Sequence, residues 1–595
     1  MDSRKSRGRA DGGTSETQDY EYERFSSLAG ELSQPPQTGA YRVQFRRLGY
    51  WRPVRTHLLV GFALVFVSGF LLWMMLPEHW PHLHGHNALQ IASDVVVIST
   101  GLIGLMALIN VATLCRASLA ARDPIPVTPE SGTRVAFLTT IVPAREPLEM
   151  VRRTLEAATQ IRHDGVLDVW LLDEGGDPAV VRMCEELGVK HFSRAGVERW
   201  NQPQGPHRAK SKHGNYNAWL QAHGEDYELL ISVDPDHVPL PCFCERFLGY
   251  FRDPDVAFVI GPQVYGNYKG FVTRAAESQQ FLFHSVLQRA GNRSRTPMLV
   301  GTNNAMRISA LRQIGGLQDS ITEDMATSLE LHAQRNPATG ERWSSIYTPD
   351  LIAVGEGPES FADYYSQQYR WSRGTHDVLM GRFWRLIWHL SPRQRLHYLL
   401  LTSYYPTTAV AWLLGVVNGL IYLVLHVGGV TVPMRLWLML YADAAALQTS
   451  LYIWNRRHNV SPHEREGSSG ISGMFISALS TPIYVASLAD AVLRRRRGFV
   501  VTAKGEAAER DTTATFALQL RWAAVIALPL TASLTLHSFA NPWMYLWMIL
   551  ALVVCLTPVA IWRVEARRRT RRRPTIAHEH AAEPAAAFPE GIEAA

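Results

Sequence analysis

Two kinds of hydrophobic pattern alternate along the chain. Six apolar runs are each about 20 residues long, which is enough to cross a hydrocarbon core of roughly 30 Å as a helix. Between the second and third runs, the pattern changes to short apolar strands that alternate with helical stretches. The sequence therefore predicts an α/β domain inserted between membrane helices, with the long runs at 57–76, 94–115, 398–425, 433–454, 516–537 and 543–562.

A seventh apolar stretch, residues 470–492, is predicted to be an interfacial or re-entrant helix. Pro482 interrupts this stretch and Asp490 brings a charge into it. If it crossed the membrane, the run from Arg494 to Arg497 would be exported, against the preference of arginine for the cytoplasmic side. We therefore expect six crossings, with both termini in the cytoplasm.

The polar flanks complete the expected layout. The first 50 residues mix Gly, Ser, Glu and Arg, and the tail is rich in Ala, Glu and Pro, which are compositions that favour disorder. The expected divisions are a disordered cytoplasmic N-terminus (1–50), two transmembrane helices (57–115), the α/β domain (130–385), two transmembrane helices (398–454), the interfacial helix (470–492), a loop (493–515), two transmembrane helices (516–562) and a disordered cytoplasmic tail (564–595).

Composition argues against two other classes of protein. The arginines behind the formal net charge of +6 concentrate beside apolar runs, where they meet anionic lipid headgroups. No basic face interleaved with aromatic residues indicates nucleic acid. The five cysteines form no Cys-x-x-Cys pair, so neither a disulfide framework nor a metal–thiolate site is expected.

Acidic residues directly follow two predicted strands of the α/β domain. Strand 167–172 runs into Asp173 and strand 228–233 runs into Asp234, while a further strand is predicted at 134–142. Open α/β sheets bind ligands at the carboxyl ends of parallel strands. One such acid could simply terminate a strand in a turn, but two of them, followed by the motifs below, favour a binding site.

The segment Asp234-Pro235-Asp236 has the spacing of a divalent metal site. Two carboxylates at i and i+2 of an extended segment hold Mg²⁺ or Mn²⁺ and leave coordination positions for diphosphate oxygens. Such a metal neutralises the charge that builds on a leaving nucleoside diphosphate. His237 is a less favoured additional ligand.

Two later segments supply further candidate chemistry. Asp324 is expected at a helix start with Thr322 as N-cap, where it either complements the helix dipole together with Glu323 or takes a proton from a sugar hydroxyl. Further along, Arg370 could contact a diphosphate and Trp371 could stack on a sugar ring. An amphipathic interfacial helix is the alternative interpretation of that segment.

In this order and spacing, the motifs resemble those of the processive family 2 glycosyltransferases, especially the bacterial cellulose synthases, from about Arg134 to the end of the last apolar run. The resemblance implies a Rossmann-like GT-A catalytic domain on the cytoplasmic side of the bacterial inner membrane. It also implies individual roles: Asp173 at the uridine end of the donor, Lys212 near the donor phosphates, Asp234 and Asp236 on the metal, Asp324 as the general base, Arg370 at the donor, and Glu323, Gln367 and Trp371 near the acceptor.

A fifth motif lies outside the α/β domain. Residues 499–504 (FVVTAK) resemble the Phe-x-Val-Thr-x-Lys gating loop of cellulose synthases, which closes over the bound nucleotide. The resemblance assigns Thr502 and Lys504 to donor binding. It also places the loop 493–515 on the cytoplasmic side.

Three departures from the family pattern leave parts of the assignment open. Residues 143–146 (PARE) are shorter than the family's Pro-x-Tyr-Asn-Glu and lack its aromatic residue, so stacking on uracil stays open. Residues 298–302 (MLVGT) lack the cysteine of Phe-Phe-Cys-Gly-Ser/Thr, so the product linkage stays open. No Asp-x-Ser-x-x-Gly motif follows the last apolar run, so we expect no PilZ domain and no control by cyclic diguanylate through this chain.

We expect an inverting, UDP-sugar-dependent hexosyltransferase that polymerises glucose from UDP-glucose into a cellulose-like β-glucan and passes it across the membrane. Its expected partners are Mg²⁺ or Mn²⁺, the UDP-sugar, the growing polysaccharide, membrane lipids and a cell-envelope accessory protein, but not nucleic acid. The alternatives are a β-1,3- or mixed-linkage glucan, a mannan, an amino-sugar polymer, or single transfer to a lipid acceptor. An inactive transporter or scaffold is a remoter alternative.

Overall fold

The computed structural model describes residues 22–36, 39–48, 53–82, 87–143, 145–464, 468–495, 510–536 and 542–571. The chain divides into two compact units, Met1–Arg510 and Asp511–Ala595. The first unit contains the α/β domain together with apolar helices from both sides of it in the sequence. The second unit contains two apolar helices that pack against each other.

The strands of the described residues are β1 (Phe45–Arg47), β2 (Arg122–Pro124), β3 (Arg134–Ile141), β4 (Val166–Asp173), β5 (Lys190–Ser193), β6 (Leu229–Ser232), β7 (Val238–Pro239), β8 (Val256–Ile260), β9 (Asn304–Arg307), β10 (Ser344–Tyr347) and β11 (Ala353–Val354). Seven of them form one mixed sheet in the order β10-β8-β9-β6-β3-β4-β5, in which β9 runs antiparallel to both of its neighbours. Two small antiparallel sheets pair β1 with β2 and β7 with β11. The strands predicted at 134–142, 167–172 and 228–233 are confirmed as the adjacent parallel strands β3, β4 and β6.

Helices connect and cover the strands. They are α1 (Tyr22–Phe25), α2 (Pro53–Met74), α3 (Asn87–Ala120), α4 (Leu148–Ala158), α5 (Pro178–Leu187), α6 (Lys212–His223), α7 (Phe243–Phe247), α8 (Phe271–Phe281), α9 (Gln288–Gly291), α10 (Ile308–Gln313), α11 (Glu323–Ala333), α12 (Phe361–Met380), α13 (Phe383–Leu386), α14 (Pro392–Leu425), α15 (Met434–Asn455), α16 (Ile471–Leu479), α17 (Thr481–Val492), α18 (Ala517–Leu536) and α19 (Pro542–Arg571).

Both faces of the central sheet are buried. Val135, Phe137 and Ile141 of β3 belong to one hydrophobic cluster. Ala136 and Leu138, between them in the sequence, belong to a second cluster on the other face. Because successive side chains of a strand point to opposite faces, a strand covered on both sides becomes a continuous apolar run. This explains why the strands could be recognised in the sequence, and it confirms the α/β domain.

Apolar helices flank this domain on both sides in the sequence, as predicted. Five described helices are long and apolar enough to cross a membrane: Pro53–Met74, Asn87–Ala120, Pro392–Leu425, Thr513–Thr535 and Tyr545–Arg567. The remaining predicted crossing, 433–454, forms α15, which has the length of a span but is not among these five helices. Arg435 and Asp443 dilute its apolar character.

The ambiguous stretch 470–492 forms two helices, α16 and α17, that meet at a bend of 43°. Pro482 lies in the first turn of α17, where a missing N–H leaves no helical hydrogen bond unmade. Asp490 is buried and accepts a hydrogen bond from the hydroxyl of Tyr369 at 2.8 Å. The interruption predicted at Pro482 is therefore present. By length and apolarity, the pair is either a broken span or a re-entrant segment, and its interfacial placement stays a prediction.

The last helix extends further than predicted. Its apolar run was expected to end at 562 and to be followed by disorder from 564, but α19 continues to Arg571. The segment that follows the apolar run is rich in Arg and also holds Glu565 and Ala566, all of which are good helix formers, so the helix persists beyond the residues that could lie in lipid.

The N-terminal segment differs from the expected disorder wherever the structure describes it. The amide of Ala29 donates a hydrogen bond to the Asp350 carboxylate at 2.7 Å. Arg42 pairs with Asp253 at 2.9 Å, and Val43 is buried in the sheet's hydrophobic core. The partners of this polar segment lie hundreds of residues away in the sequence, which is why composition alone indicated disorder.

Replacing Asp350 with alanine should detach this segment and destabilise the protein. The buried Asp350 carboxylate holds both the Ala29 amide and the Arg246 guanidinium, the latter at 2.6 Å. Removing one partner of a buried ion pair costs about 3–5 kcal/mol. Thermal unfolding in detergent should show a lower midpoint, and limited proteolysis should show new cleavage near Ala29. Asp164→Ala, at an exposed bend, is the matched control and should leave both the unfolding midpoint and the cleavage pattern unchanged. An unchanged midpoint and cleavage pattern for Asp350→Ala would contradict the anchoring.

Candidate active site

A large cavity opens at the carboxyl ends of the central strands. Its volume is about 1990 Å³. Part of its wall comes from the loops after β3, β4 and β6, from the starts of α6 and α11, and from one face of α12. The cavity also extends between α3, α14, α15 and α16, where its wall includes Asn110, Leu401, Tyr404, Gln448, Tyr452 and Ser477.

A cluster of metal-ligating side chains follows β6. The donor atoms of Asp234, Asp236 and His237 all lie within 4.8 Å of one another. The amide of Asp234 donates to the hydroxyl of Thr302 at 3.0 Å, which fixes the start of this segment against the neighbouring loop. Carboxylate oxygens suit Mg²⁺ and Mn²⁺, and imidazole suits transition metals. His237, the less favoured ligand in the sequence, therefore belongs to the set.

His237 is held in place by a close backbone approach. Its ring packs against Gly355, next to β11, and a Cβ atom at that position would lie 2.3 Å from the ring atoms Cε1 and Nε2. On the other side, the Nδ1 atom of His237 contacts the Asp236 carboxylate at 3.1 Å. Only glycine leaves room for this arrangement, so Gly355 acts as a support of the metal-ligating cluster.

Lys212 places a positive charge beside these acids. It is the first residue of α6, whose N-cap is Ser211. Its ammonium group pairs with the Asp234 carboxylate and donates to the carbonyl of Gly301. Burial alone would lower the pKa of Lys212, but the carboxylates of Asp234 and Glu323 outweigh burial and raise it. The side chain is therefore held as a cation at the point where phosphate oxygens would need one.

Glu323 and Asp324 lie in the first turn of α11 and both face the cavity. Thr322 occupies the N-cap position as predicted, but its hydroxyl makes no capping hydrogen bond. The Asp324 carboxylate accepts a hydrogen bond from the amide of Met325 at 2.7 Å. Burial and the adjacent Glu323 carboxylate raise the pKa of Asp324 to about 7, although Lys212 opposes the shift. A carboxylate with this pKa can accept a proton near neutral pH.

One face of α12 carries three of the predicted residues. Gln367, Arg370 and Trp371 lie one turn apart and all line the cavity. The amide of Gln367 donates to the hydroxyl of Tyr265 at 3.3 Å. Burial lowers the pKa of Arg370, while the nearby carboxylates of Asp234 and α11 oppose that shift. A guanidinium remains charged despite this lowering, so the cavity wall presents a second cation in addition to Lys212.

Asp173 ends β4 as predicted, but it lies beneath the cavity wall. Its buried carboxylate accepts hydrogen bonds from the amides of Gly175 and Asp177 at 2.8 Å and 2.7 Å and contacts Nε2 of His191 at 3.1 Å. These bonds hold the loop after β4, and residues of that loop, beginning at Glu174, line the cavity. Contact between Asp173 and uridine stays a prediction, and the observed contacts give Asp173 a role in positioning the loop.

One pair of residues at the site was not anticipated from the sequence. Arg194 is fully buried and donates to both carboxylate oxygens of Glu174, at distances of 2.8 Å to 3.1 Å. It also donates to the carbonyls of Trp200 and Arg208 at 2.9 Å. No local spacing connects Arg194 with Glu174. The only available signal was that Glu174 follows Asp173 at the end of a strand.

The other predicted residues divide into two groups. Thr502 and Lys504, with the motif at 499–504, lie outside the described residues. The rest come together at the cavity, with Asp236 behind Asp234 and with Lys212, Asp234, Glu323, Asp324, Gln367, Arg370 and Trp371 on the wall.

Two known protein families match the part of the chain that contains this site. Residues 139–315 match the family described as Glycosyl transferase family 2. Residues 229–442 match the family described as Glycosyl transferase family group 2. The chain belongs to the family 2 glycosyltransferases. The two matches together include the metal-ligating cluster, the first turn of α11, the whole of α12 and all of α14.

Curated relatives of this family 2 glycosyltransferase include a cellulose synthase catalytic subunit (UDP-forming) of Pseudomonas fluorescens. The two are 27% identical over 251 residues, which is 40% of this chain and 31% of the relative. A probable glucomannan 4-beta-mannosyltransferase of Oryza sativa is 28% identical over 222 residues, which is 35% of this chain and 39% of the relative. The matched part thus spans about a third of the length of these relatives.

Solved structures similar to this family 2 glycosyltransferase include a mannosyltransferase from Pyrobaculum calidifontis in complex with GDP-Man and Mn²⁺. It is 14% identical, with a TM-score of 0.41 over 68% of this chain and 100% of that chain. Glucosyl-3-phosphoglycerate synthase from Mycobacterium tuberculosis is 12% identical, with a TM-score of 0.28 over 38% of this chain and 73% of that chain.

Replacing Gly355 with alanine should weaken metal binding. The added methyl group would meet the His237 ring at 2.3 Å and push the imidazole away from Asp236. Disturbing a residue that orients a metal ligand typically costs about 10- to 100-fold in affinity. Titration with Mn²⁺, followed by electron paramagnetic resonance, should show a correspondingly weaker Kd. Gly415→Ala is a matched control because a Cβ there meets nothing within 4 Å; an equal Kd for both variants would contradict the supporting role.

Asp324 should make the stability of the protein depend on pH. Its pKa is about 7 when folded and about 3.9 in an unfolded chain, so the folded state binds the proton more tightly. The free energy of unfolding should therefore fall as the pH rises from about 4 to about 7, and then level off. Thermal unfolding across this range should show a smaller fall for Asp324→Asn, which cannot titrate. Identical pH profiles for the two proteins would exclude the raised pKa.

Proposed function

We propose that the protein is a membrane-embedded inverting glycosyltransferase that polymerises a hexose, glucose from UDP-glucose, into a cellulose-like β-glucan and passes the product across the membrane. The observation that carries the proposal is the cavity, which joins the acidic site to the space between α3, α14, α15 and α16. Pockets for small ligands typically measure about 300–1,000 Å³. A volume of about 1990 Å³ therefore leaves room for several sugar units in addition to a nucleotide sugar.

The donor diphosphate would bind among Lys212, Arg370 and the metal-ligating cluster. Asp234, Asp236 and His237 converge closely enough to hold Mg²⁺ or Mn²⁺. The ion, when bound, would neutralise charge on the diphosphate. Lys212 and Arg370 place an ammonium and a guanidinium beside Asp234, where they would donate to phosphate oxygens.

Asp324 would act as the general base. The acceptor hydroxyl attacks the anomeric carbon on the face opposite UDP, so the new C–O bond forms as the bond to UDP breaks. The hydroxyl proton passes to the Asp324 carboxylate, and UDP leaves with the electron pair of the broken bond. A pKa of about 7 suits this role because about half of the carboxylate is ionised at neutral pH and it is more basic than an ordinary carboxylate.

The acceptor would lie between the general base and the membrane helices. Trp371 presents a ring on which a sugar can stack, while Gln367 and Glu323 offer polar groups to its hydroxyls. Beyond them, Tyr404 and Tyr452 continue the wall between the apolar helices. A growing chain that left the active site in this direction would enter the membrane region without meeting lipid.

The proposal extends to location. The α/β domain would lie in the cytoplasm, which the bias of arginine toward that side supports, and the apolar helices would lie in a bacterial inner membrane. Thr502 and Lys504 would then be able to contact the nucleotide from the same side. A cell-envelope accessory protein would receive the product on the opposite side.

A mannan is the second candidate product. The similarity to a probable glucomannan mannosyltransferase favours it, and Val300 stands where the cellulose synthase pattern has cysteine. The same site would serve β-1,3- or mixed-linkage glucans, amino-sugar polymers or single transfer to a lipid. These possibilities differ in donor and in product length, so one experiment separates them.

The decisive experiment measures nucleotide release by the purified protein in lipid vesicles, with Mg²⁺ or Mn²⁺, across a panel of UDP-sugars and GDP-mannose. We expect release from UDP-glucose and a product of many sugar units. Removing a general base typically slows a reaction by about 10²–10⁴-fold, so Asp324→Asn should lose nearly all activity. Asp226→Asn, at an exposed turn, is the control and should retain it.

The outcomes are distinct. Release from another donor would name a different sugar, and a product extended by one unit would replace polymerisation with single transfer. Full activity in a folded Asp324→Asn protein would remove the assigned base. No release with any donor from a folded protein that binds Mn²⁺ would favour the inactive transporter or scaffold.

A further inference from the structure

Five arginines gather where the α/β domain meets the ends of two apolar helices: Arg47, Arg116, Arg122, Arg293 and Arg393. Arg116 lies near the C-terminal end of α3, and Arg393 lies in the first turn of α14. The guanidinium of Arg116 contacts the ring of His397 at 3.4 Å, so these two helix ends lie side by side. Both helices are candidate membrane spans. With α3 and α14 crossing a membrane, the cluster would lie where the lipid headgroups meet the hydrocarbon core.

Strand pairing forces two of these arginines together. In the antiparallel pair of β1 and β2, Arg47 stands directly opposite Arg122. Side chains at opposite positions share one face of the sheet, with Cβ atoms about 5 Å apart, and like charges there are destabilising. The neighbouring position of the same pair sets Arg46 opposite Asp123, which is the complementary arrangement. The Arg47–Arg122 pair is therefore repulsive, whereas the next pair of the same two strands is attractive.

The environment of Arg122 adds to this imbalance. Its carbonyl accepts a hydrogen bond from the side chain of Asn292 at 2.8 Å, which holds it next to Arg293. Its Nε atom is buried and has no hydrogen-bond partner within the described part of the chain. Burial, followed by the charges of Arg293, Arg47 and Arg393, lowers the pKa of Arg122. An arginine in such a place lacks an anion.

The nearest acid in the sequence does not supply that anion. Asp123 is buried and pairs with Arg289 at 2.7 Å. Among the described residues, the charges that act on Arg122 come from three other arginines, and Arg293 acts on Arg116 as well. The cluster thus combines several donors with no internal counterion.

We propose that these five arginines bind the phosphate of an anionic membrane lipid, at a site between the ends of α3 and α14. Guanidinium groups bind phosphate through paired hydrogen bonds, and several of them around one phosphate would relieve their mutual repulsion. Basic pockets between membrane helices on the cytoplasmic side have this capacity. None of the five lines the active-site cavity. Lipid binding and sugar transfer can therefore be tested separately.

The test uses the full-length protein in a neutral detergent. Phosphatidylglycerol, phosphatidylcholine and inorganic phosphate are each titrated in, and native mass spectrometry counts the bound molecules while thermal unfolding reports Tm. We expect phosphatidylglycerol to bind and to raise Tm, phosphatidylcholine to do neither, and added salt to weaken the effect. The variant is Arg122→Gln with Arg293→Gln, and Arg182→Gln with Arg199→Gln is the matched control at two exposed positions of the α/β domain.

In the variant, the apparent Kd for phosphatidylglycerol should weaken about 25-fold, since each of the two basic residues near anionic lipid contributes roughly fivefold. Without lipid, the variant should be as stable as the wild type or more so, because two repelling charges are gone. Arg293→Gln alone, at an exposed side chain, provides a milder version that keeps the fold.

Three results would overturn the proposal. The first is an equal Kd in the variant and the control. The second is a Tm that drops in the variant without lipid, which would show that the arginines stabilise the protein by internal pairing. The third is an equal rise in Tm with inorganic phosphate, which would assign the site to a soluble anion. None of these results depends on sugar transfer, so they leave the proposed function untouched.

Discussion

The active site depends on bringing carboxylates together and balancing their charge. Asp234 comes from a strand end and Glu323 and Asp324 from a helix start, and burial raises the pKa of both Glu323 and Asp324. Lys212 and Arg370 supply the compensating cations from two further helices. Lys212 lies at the start of α6 and Arg370 in the middle of α12, while the two acids lie at the start of α11. The attraction between these opposite charges therefore links the positions of the three helices. A change in any of them would alter both stability and chemistry.

α12 connects the charged residues of the site to the apolar helices of the first unit. One of its faces carries the residues that line the cavity, and another bonds to α17. The hydroxyl of Tyr369 donates to Asp490 at 2.8 Å, and the hydroxyls of Ser372 and Ser487 lie 2.5 Å apart. Such buried polar contacts fix register more strictly than apolar packing does. The helix that would meet the acceptor is therefore held by the bent pair α16–α17 as well as by the catalytic domain.

Local patterns in the sequence were enough for the architecture and for most of the site. A strand buried on both faces and a membrane-length apolar run each produce a signal within a few consecutive residues. Asp234 could be recognised because it follows such a strand, whereas the role of Asp324, at the start of α11, was implied by the resemblance to the family 2 glycosyltransferases. The same reasoning failed where it relied on composition alone. The polar segment around Val43 was expected to be disordered but packs against the sheet, and the residues from 564 were expected to be disordered but continue the last helix to Arg571.

The sequence by itself determined the fold class, the order of its elements and the identity of the principal acids, because these depend on neighbouring residues. Only the tertiary structure showed that His237 lies with Asp234 and Asp236, that Asp173 accepts hydrogen bonds from the loop after β4, and that Arg194 pairs with Glu174. His237 packs against Gly355 and Arg194 pairs with Glu174, which are contacts between separate segments of the chain, while the hydrogen bonds from the amides of Gly175 and Asp177 to Asp173 form only once the loop is folded. No local period records such contacts, since they arise only when the sheet and the helices have packed.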